Sequence, residues 1–382
     1  MQFPLVFTGL GLMLIASFFD SLRGPLLPLI SHELGLSYER VSLFLVVGYI
    51  SAVIFGRSLI PLIEKWGVRR LAMTLCGLGP VAALAALGVG GLPSLLVLGV
   101  LVGCLSSAIG AVANLFVLDG TTPQKRGRFY SFLHTMYGLG SQAAPLILGI
   151  ALAYSINWRW LYVAAAVPLA GMAGWIYWGL PKRIAAPPEA EQKPMPFRWF
   201  SIQGLLVACF ALYVGSEVMT SMWMVAYLVE AHGMTVEHAT PYATGFFVCM
   251  TLSRLACMLV QEDATERAVI LVGLLAALGS LAAGFAGFIW ALPLAGLVGP
   301  FFPLILARLT RYFPREAPTL TFRVLLGGQA TVAACHFGVG WLATNIGATA
   351  AYAVAPIGFV MVLGLTLSYF AREKRRFQGS SV

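Results

Sequence analysis

Charge is what this sequence has least of. Only 10% of its 382 residues are Asp, Glu, Lys or Arg, against about 25% in a typical soluble domain. Hydrophobic residues make up 59%, and the mean hydropathy is +0.86, so the chain reads as an integral membrane protein with little room for a soluble domain. The six cysteines, Cys76, Cys104, Cys209, Cys249, Cys257 and Cys335, all lie in apolar stretches with no CxxC pair, which argues against a disulfide framework or a zinc site. There is no Gly-x-x-x-x-Gly-Lys-Ser/Thr phosphate loop, which argues against ATP-driven work. Nor is there a clustered catalytic constellation of the kind a membrane enzyme acting on lipid would need. No cofactor or metal is expected. A cleaved signal peptide is not expected either: no basic stretch precedes Phe3, and Asp20 and Arg23 would fall beside the cleavage site.

What is present is a series of apolar runs near the roughly 20 residues that cross a bilayer. Twelve spans are expected, at about 4–30, 39–62, 69–89, 93–118, 127–153, 158–180, 200–229, 240–260, 266–286, 289–311, 318–343 and 349–371. The net charge of +9 sits in short basic clusters between spans, a pattern of membrane orientation and not of nucleic-acid binding. Lys65, Arg69, Arg70, Lys125, Arg126, Arg128, Lys182, Arg183, Lys193, Arg198, Arg267, Arg308, Arg311, Arg315, Arg323 and the tail (Arg372, Lys374, Arg375, Arg376) all fall on one side. Arg40 and Arg159 fall on the other. Both termini are therefore expected in the cytoplasm of a multi-pass plasma-membrane protein, most simply a bacterial inner-membrane one. The longest polar connection, 181–199, carries Pro187-Pro188-Glu189 and reads as a flexible linker. It separates a six-span bundle, 1–180, from a second bundle and basic tail, 200–382.

The two halves repeat. A shift of 197 residues carries Asp20 onto Glu217, Arg57 onto Arg254 and Arg70 onto Arg267. Gly35-Leu36-Ser37 and Gly233-Met234-Thr235 follow the first helix of each half, one residue out of register. Parallel repeats of this kind characterise secondary transporters whose two halves rock about a central site.

Asp20 and Glu217 are the carboxylates placed deep in spans, and a charge at the bilayer centre costs on the order of 2.5–3.5 kcal/mol. Each is a candidate for proton coupling or substrate binding, the alternative being a structural ion pair. Arg23, on the same helical face as Asp20, either pairs with it or offers its fork to an anionic substrate. Arg23 has no basic counterpart in the second half, where the shifted position is Thr220; substrate charge is therefore expected to be read by the N-terminal half. Arg57 and Arg254 lie near helix ends and are expected to snorkel toward the headgroups. Tyr49, Asn114, His134, Tyr137, Gln142, Tyr213, Trp223, Gln329 and His336 are polar or aromatic positions that either line a cavity or serve interhelical hydrogen bonds and interfacial belts.

Glu64-Lys65-Trp66-Gly67-Val68-Arg69-Arg70, between spans two and three, resembles the acidic-basic-x-Gly-x-Arg-Arg signature of the major facilitator superfamily. It departs from that signature at Glu64 and Lys65, which replace Asp and Arg. The second-half copy, Gln261 to Arg267, is more degraded. Asn157-Trp158-Arg159-Trp160 and Asp119…Pro123…Arg126-Gly127-Arg128 also resemble the family. The resemblance implies an all-α membrane protein of twelve transmembrane helices in two pseudo-symmetric six-helix bundles. It also implies that the loop holding Glu64, Lys65, Gly67, Arg69 and Arg70 is a cytoplasmic gate locking the halves by charge pairing. Spans one to three and Phe301-Phe302-Pro303 are distantly similar to fucose-type sugar–proton symporters, although Asn114 is followed by Leu115 instead of proline. Gly140 to Pro145 partly resembles the span-five signature of proton-driven exporters. The expected function is proton-coupled secondary transport of a small polar or anionic organic solute by alternating access, by a monomer whose partners are its substrate, protons and the bilayer. The alternative is a proton-driven exporter of amphipathic compounds or drugs, which a cavity lined mainly by Phe and Met would favour over one rich in His, Gln and Asn.

Overall fold

A computed structural model describes residues 2–181, 201–257, 263–314 and 316–373. The linker beyond Pro181, with Lys182, Arg183, Lys193 and Arg198, lies outside the described residues, as do Gln261, Glu262, Arg315, Lys374, Arg375 and Arg376. The described residues hold helices and no strand: α1 (Phe3–Leu22), α2 (Leu27–Leu34), α3 (Tyr38–Gly77), α4 (Gly79–Leu87), α5 (Leu92–Gly120), α6 (Pro123–Ala153) and α7 (Arg159–Gly179) in the first half. The second half has α8 (Ile202–His232), α9 (Val236–Cys257), α10 (Asp263–Phe285), a 3₁₀ helix (Ile289–Val298), α11 (Phe301–Tyr312), α12 (Ala317–Asn345), α13 (Ala348–Tyr352) and α14 (Val354–Glu373). Among the described residues nine helical stretches are long and apolar enough to cross a membrane by length and composition. One of these, Tyr38–Leu87, runs through the expected second and third spans, while α9 and α12 fall outside that set.

Several expected spans are broken, and the breaks follow from Gly and Pro. The first span stops at Leu22 because Pro25 has no N–H to continue the ladder, and Gly24 turns the chain. A Cβ on Gly24 would lie 2.7 Å from the Met222 backbone, so the α1–α2 turn rests directly on α8. Within α3 the chain turns at Gly67, whose φ of 77° is open to glycine and strained for a side chain. That is the local reason for glycine in the signature loop. Span ten divides into the 3₁₀ helix and α11 around Gly299-Pro300.

Within each half, helices meet through glycine. A Cβ on Gly99 would come 2.5 Å from the Phe44 carbonyl, and one on Gly103 2.1 Å from that of Gly48, so α5 and α3 touch backbone to backbone. The 197-residue shift carries Gly48 onto Gly245 and Gly99 onto Gly296, and a Cβ on Gly296 would lie 2.1 Å from the Phe246 carbonyl. The repeat is thus a repeat of helix contacts as well as of charges.

The halves join where α3 packs on α12 and α6 on α9. Gly138 faces Thr251, and eleven residues further on Gly149 faces Thr240, the register of two antiparallel helices. At the end remote from residues 2 and 373, Glu230 Oε1 accepts from the Tyr38 hydroxyl (2.9 Å) and lies 3.0 Å from His32 Nε2. The Glu39 N–H donates to Thr344 Oγ1 at 2.8 Å.

The other end holds the loop expected to act as a gate. Arg69 donates to the Ile176 carbonyl at 3.1 Å and to that of Tyr177, tying α3 to α7 within its own half. Glu64, Lys65 and Arg70 are exposed, with no ion pair to the second half among the described residues. Among the described residues, the loop's charges thus make no pair across to the second half. Besides the two carboxylates expected deep in the spans, Glu266 and Glu373 are buried at helix ends around a fully buried Arg308, at 3.0 and 2.6 Å. Arg311 meets Glu266 at 2.6 Å, and the Tyr369 hydroxyl donates to Glu373 at 2.8 Å. The helices α10, α11 and α14 converge there. The 197-residue shift places Arg69 and Ile176 where the second half has Glu266 and Glu373, so one structural position is filled by an arginine–carbonyl contact in one half and an ion cluster in the other.

Gly103→Ala should be destabilising by about 1–3 kcal/mol, because its Cβ meets backbone and not a movable side chain. Gly171→Ala, in α7 with open space around it, should stabilise by about 0.5–1 kcal/mol. Thermal unfolding of the purified variants in detergent checks both signs; equal effects would contradict the backbone contact.

Candidate functional site

Each half delivers one carboxylate and one guanidinium to a shared central cavity of about 410 Å³. In the first half, α1 ends two residues after Asp20, leaving the Asp20 carbonyl without an i+4 helical donor, and Arg23 Nε donates to it at 3.2 Å. Arg23 Nη2 also donates to Asp20 Oδ1, and the Tyr137 hydroxyl donates to Asp20 Oδ2 at 3.2 Å. The guanidinium lies 4.7 Å over the Tyr49 ring and is only 1% exposed, Asp20 being 20% exposed. Arg23 Nη1 is enclosed without a hydrogen-bond partner, at a place where a Cβ on Gly48 would approach it to 2.5 Å.

In the second half the pair is Glu217 on α8 and Arg254 on α9, 3.1 Å apart, with side chains 15% and 18% exposed. Arg254 Nη2 reaches both Glu217 oxygens, at 3.1 and 3.4 Å. Arg254 Nε donates to the Gly299 carbonyl at 3.1 Å. That carbonyl is free because Pro303, four residues on, has no N–H to give it. The Arg254 guanidinium sits 5.7 Å over Phe302, whose ring is 5.0 Å from Phe210 and 6.3 Å from His134.

This corrects two expectations. Arg254 does not snorkel: its side chain turns inward to a carboxylate and a proline-freed carbonyl, both of which compete with the headgroups for its donors. Its repeat partner Arg57 is exposed. The second half also does possess a guanidinium beside its carboxylate. It comes from a neighbouring helix and not from the position matching Arg23, which is why a shift alignment finds Thr220 there.

Of the sequence candidates, Asp20, Arg23, Tyr49, Asn114, His134, Tyr137, Glu217 and Gln329 line the cavity. Gln142 and three others do not line it. Tyr213 is buried and stacked on Phe301 at 4.2 Å. Trp223 Nε1 donates to His336 Nδ1 at 3.0 Å, and the His336 ring stacks on Tyr49 at 5.3 Å, forming a layer behind the cavity wall. Such interhelical contacts were the structural alternative for these residues. Sequence reasoning missed Arg254, Phe210, Ser106 and Ser107 as lining groups; the available signal was that Arg254 is the sole charge in the middle and end of α9.

A Major Facilitator Superfamily model matches residues 9–261. The chain belongs to that superfamily, and is a transporter and not an enzyme. A curated relative, the MFS-type transporter phiD of a fungal species (strain ATCC 74256), is 30% identical over 157 residues, which cover 39% of this chain and 23% of that protein's length. Among solved structures, the D-xylose–proton symporter aligns with a TM-score of 0.75 at 12% identity, over 96% of this chain and 97% of that one. The nucleoside transporter NupG aligns at 0.74 and 13%, over 95% and 99%. A bacterial homolog of the human lysosomal transporter Spinster aligns at 0.67 and 14%, over 97% and 96%. At these identities the likeness is one of fold.

Removing one member of the Glu217–Arg254 pair leaves the other uncompensated, a loss of up to about 3 kcal/mol at this enclosed position. Glu217→Gln and Arg254→Gln should each lower the unfolding temperature more than the double variant does. A double-mutant cycle measures this, and additive losses would show that the two side chains do not interact.

Proposed function

We propose that the chain couples transport of a small polar or anionic organic solute to proton movement, with Asp20 and Glu217 as the protonatable groups. The observation that carries this reading is that both carboxylates face one cavity, each held by a guanidinium. A proton taken up by Glu217 cancels its charge and frees Arg254 for a substrate acceptor; release of the proton restores the pair and expels the anion. A carboxylate–guanidinium pair is in this way an exchange device, neutral overall in both states, which keeps the charge in the low-dielectric site small. Alternating access follows from the two-bundle architecture, one half rocking on the other along the α3–α12 and α6–α9 seams. His134, Asn114 and Gln329 in the lining support a polar solute over an amphipathic drug, and inward transport with the proton is the direction proposed.

Proteoliposomes with an internal pH dye test this. Substrate added outside should acidify the lumen of vesicles holding wild-type protein, and Asp20→Asn or Glu217→Gln should reduce that acidification at least tenfold while protein abundance is kept. Transport with an unchanged proton signal in both variants would refute coupling through these residues.

A further inference from the structure

The two arginines are not equivalent, and the difference selects a substrate. Arg23 is 1% exposed, sandwiched between Tyr49 and Gly48, with its donors turned to Asp20 or enclosed. Arg254 is 18% exposed and lines the cavity. Glu217 takes both of its hydrogen bonds from Nη2 alone, and Nε is held by the Gly299 carbonyl. Nη1 takes part in none of these bonds; the buried Tyr213 hydroxyl neighbours the guanidinium, and protonation of Glu217 frees further donors for a substrate acceptor. Beside it stand Phe302 and Phe210, inclined at 53° to each other, and the His134 ring. Val214, Val218 and Leu325 add further apolar groups to the lining, and Ser106, Ser107 and Asn114 of α5 add polar ones. At about 410 Å³ the cavity is in the lower part of the roughly 300–1,000 Å³ range of small-molecule sites.

We infer that the substrate is a compact organic monoanion with a planar apolar ring, its carboxylate on Arg254 and its ring against Phe302 and Phe210. The guanidinium fork matches a carboxylate, and an aromatic ring packs edge-to-face on a tilted phenylalanine pair. A neutral sugar would leave the freed donors no charged acceptor and would set hydroxyls against the phenylalanine wall. A cation would meet Arg254 directly. The N-terminal half then supplies hydroxyl and amide groups beside the Asp20 carboxylate, and the substrate's carboxylate is read by the C-terminal half.

The inference rests on this cavity being the transport site, and its test is a binding measurement, independent of coupling. Benzoate at millimolar concentration should raise the unfolding temperature of the purified protein, whereas benzamide and D-xylose should not. Phe302→Leu should weaken benzoate binding about tenfold. Arg254→Gln should abolish it, and the Glu217→Gln/Arg254→Gln double variant, which leaves no unpaired charge, should do the same if the single variant folds poorly. Absence of a shift with benzoate, an equal shift with benzamide or D-xylose, or benzoate binding retained in the double variant would overturn the inference. Benzoate binding without proton movement in vesicles would overturn proton coupling and leave the substrate class standing. Proton-linked uptake of D-xylose without benzoate binding would do the reverse.

Discussion

A charge in the hydrocarbon layer persists only when it is partnered, and in this chain the partnering occurs where helices are interrupted. Asp20 and Arg23 meet at the end of α1, where the Gly24-Pro25 break exposes a carbonyl that Arg23 also takes. Arg254 reaches Glu217 beside the carbonyl released by Pro303. In both places the backbone discontinuity anchors the guanidinium on one side while the carboxylate holds it on the other. The cavity lies between these two anchored pairs, and its polarity follows from them.

Glycine sets how closely the supporting helices approach. The contacts of Gly99 and Gly103 with α3, and of Gly296 with α9, bring backbones into touch within each half. Across the seam between halves, Gly138, Gly149 and Gly340 instead make room for the hydroxyl side chains of Thr251, Thr240 and Ser42. A membrane helix gains little from burying apolar side chains against others, since lipid is equally apolar, so close packing of this type carries the association. The pseudo-symmetry is real in these contacts and in the acids. It fails in the arginines, one local to its helix and one contributed by a neighbour, and it fails again where Arg69 corresponds to Glu266.

Much of the architecture was legible because it depends on composition. Twelve spans, the 197-residue repeat and the two deep carboxylates are readable from scarce charges in apolar runs, and the φ of Gly67 explains the one glycine its loop requires. What stayed hidden was tertiary. Arg254 sits three residues from the end of α9, and nothing in its local sequence says that its side chain turns inward toward Glu217. Glu266 and Glu373 stand at helix ends, and their burial comes from Arg308 between them. Trp223 and His336 stand out in sequence as polar or aromatic positions, but only their mutual hydrogen bond shows that they form a layer behind the site. In each case a partner distant in sequence decided the role.

In the proposed mechanism, Asp20 and Glu217 exchange a proton for their guanidinium partners inside the cavity. The most direct measurement is an infrared difference spectrum of the purified protein in lipid as the pH is lowered. A protonated-carboxyl band characteristic of a low-polarity environment should grow on acidification of the wild type and be lost from the Asp20→Asn/Glu217→Gln double variant. The same band at full strength in the double variant, or none in the wild type over the pH range where a proton gradient drives transport, would contradict it.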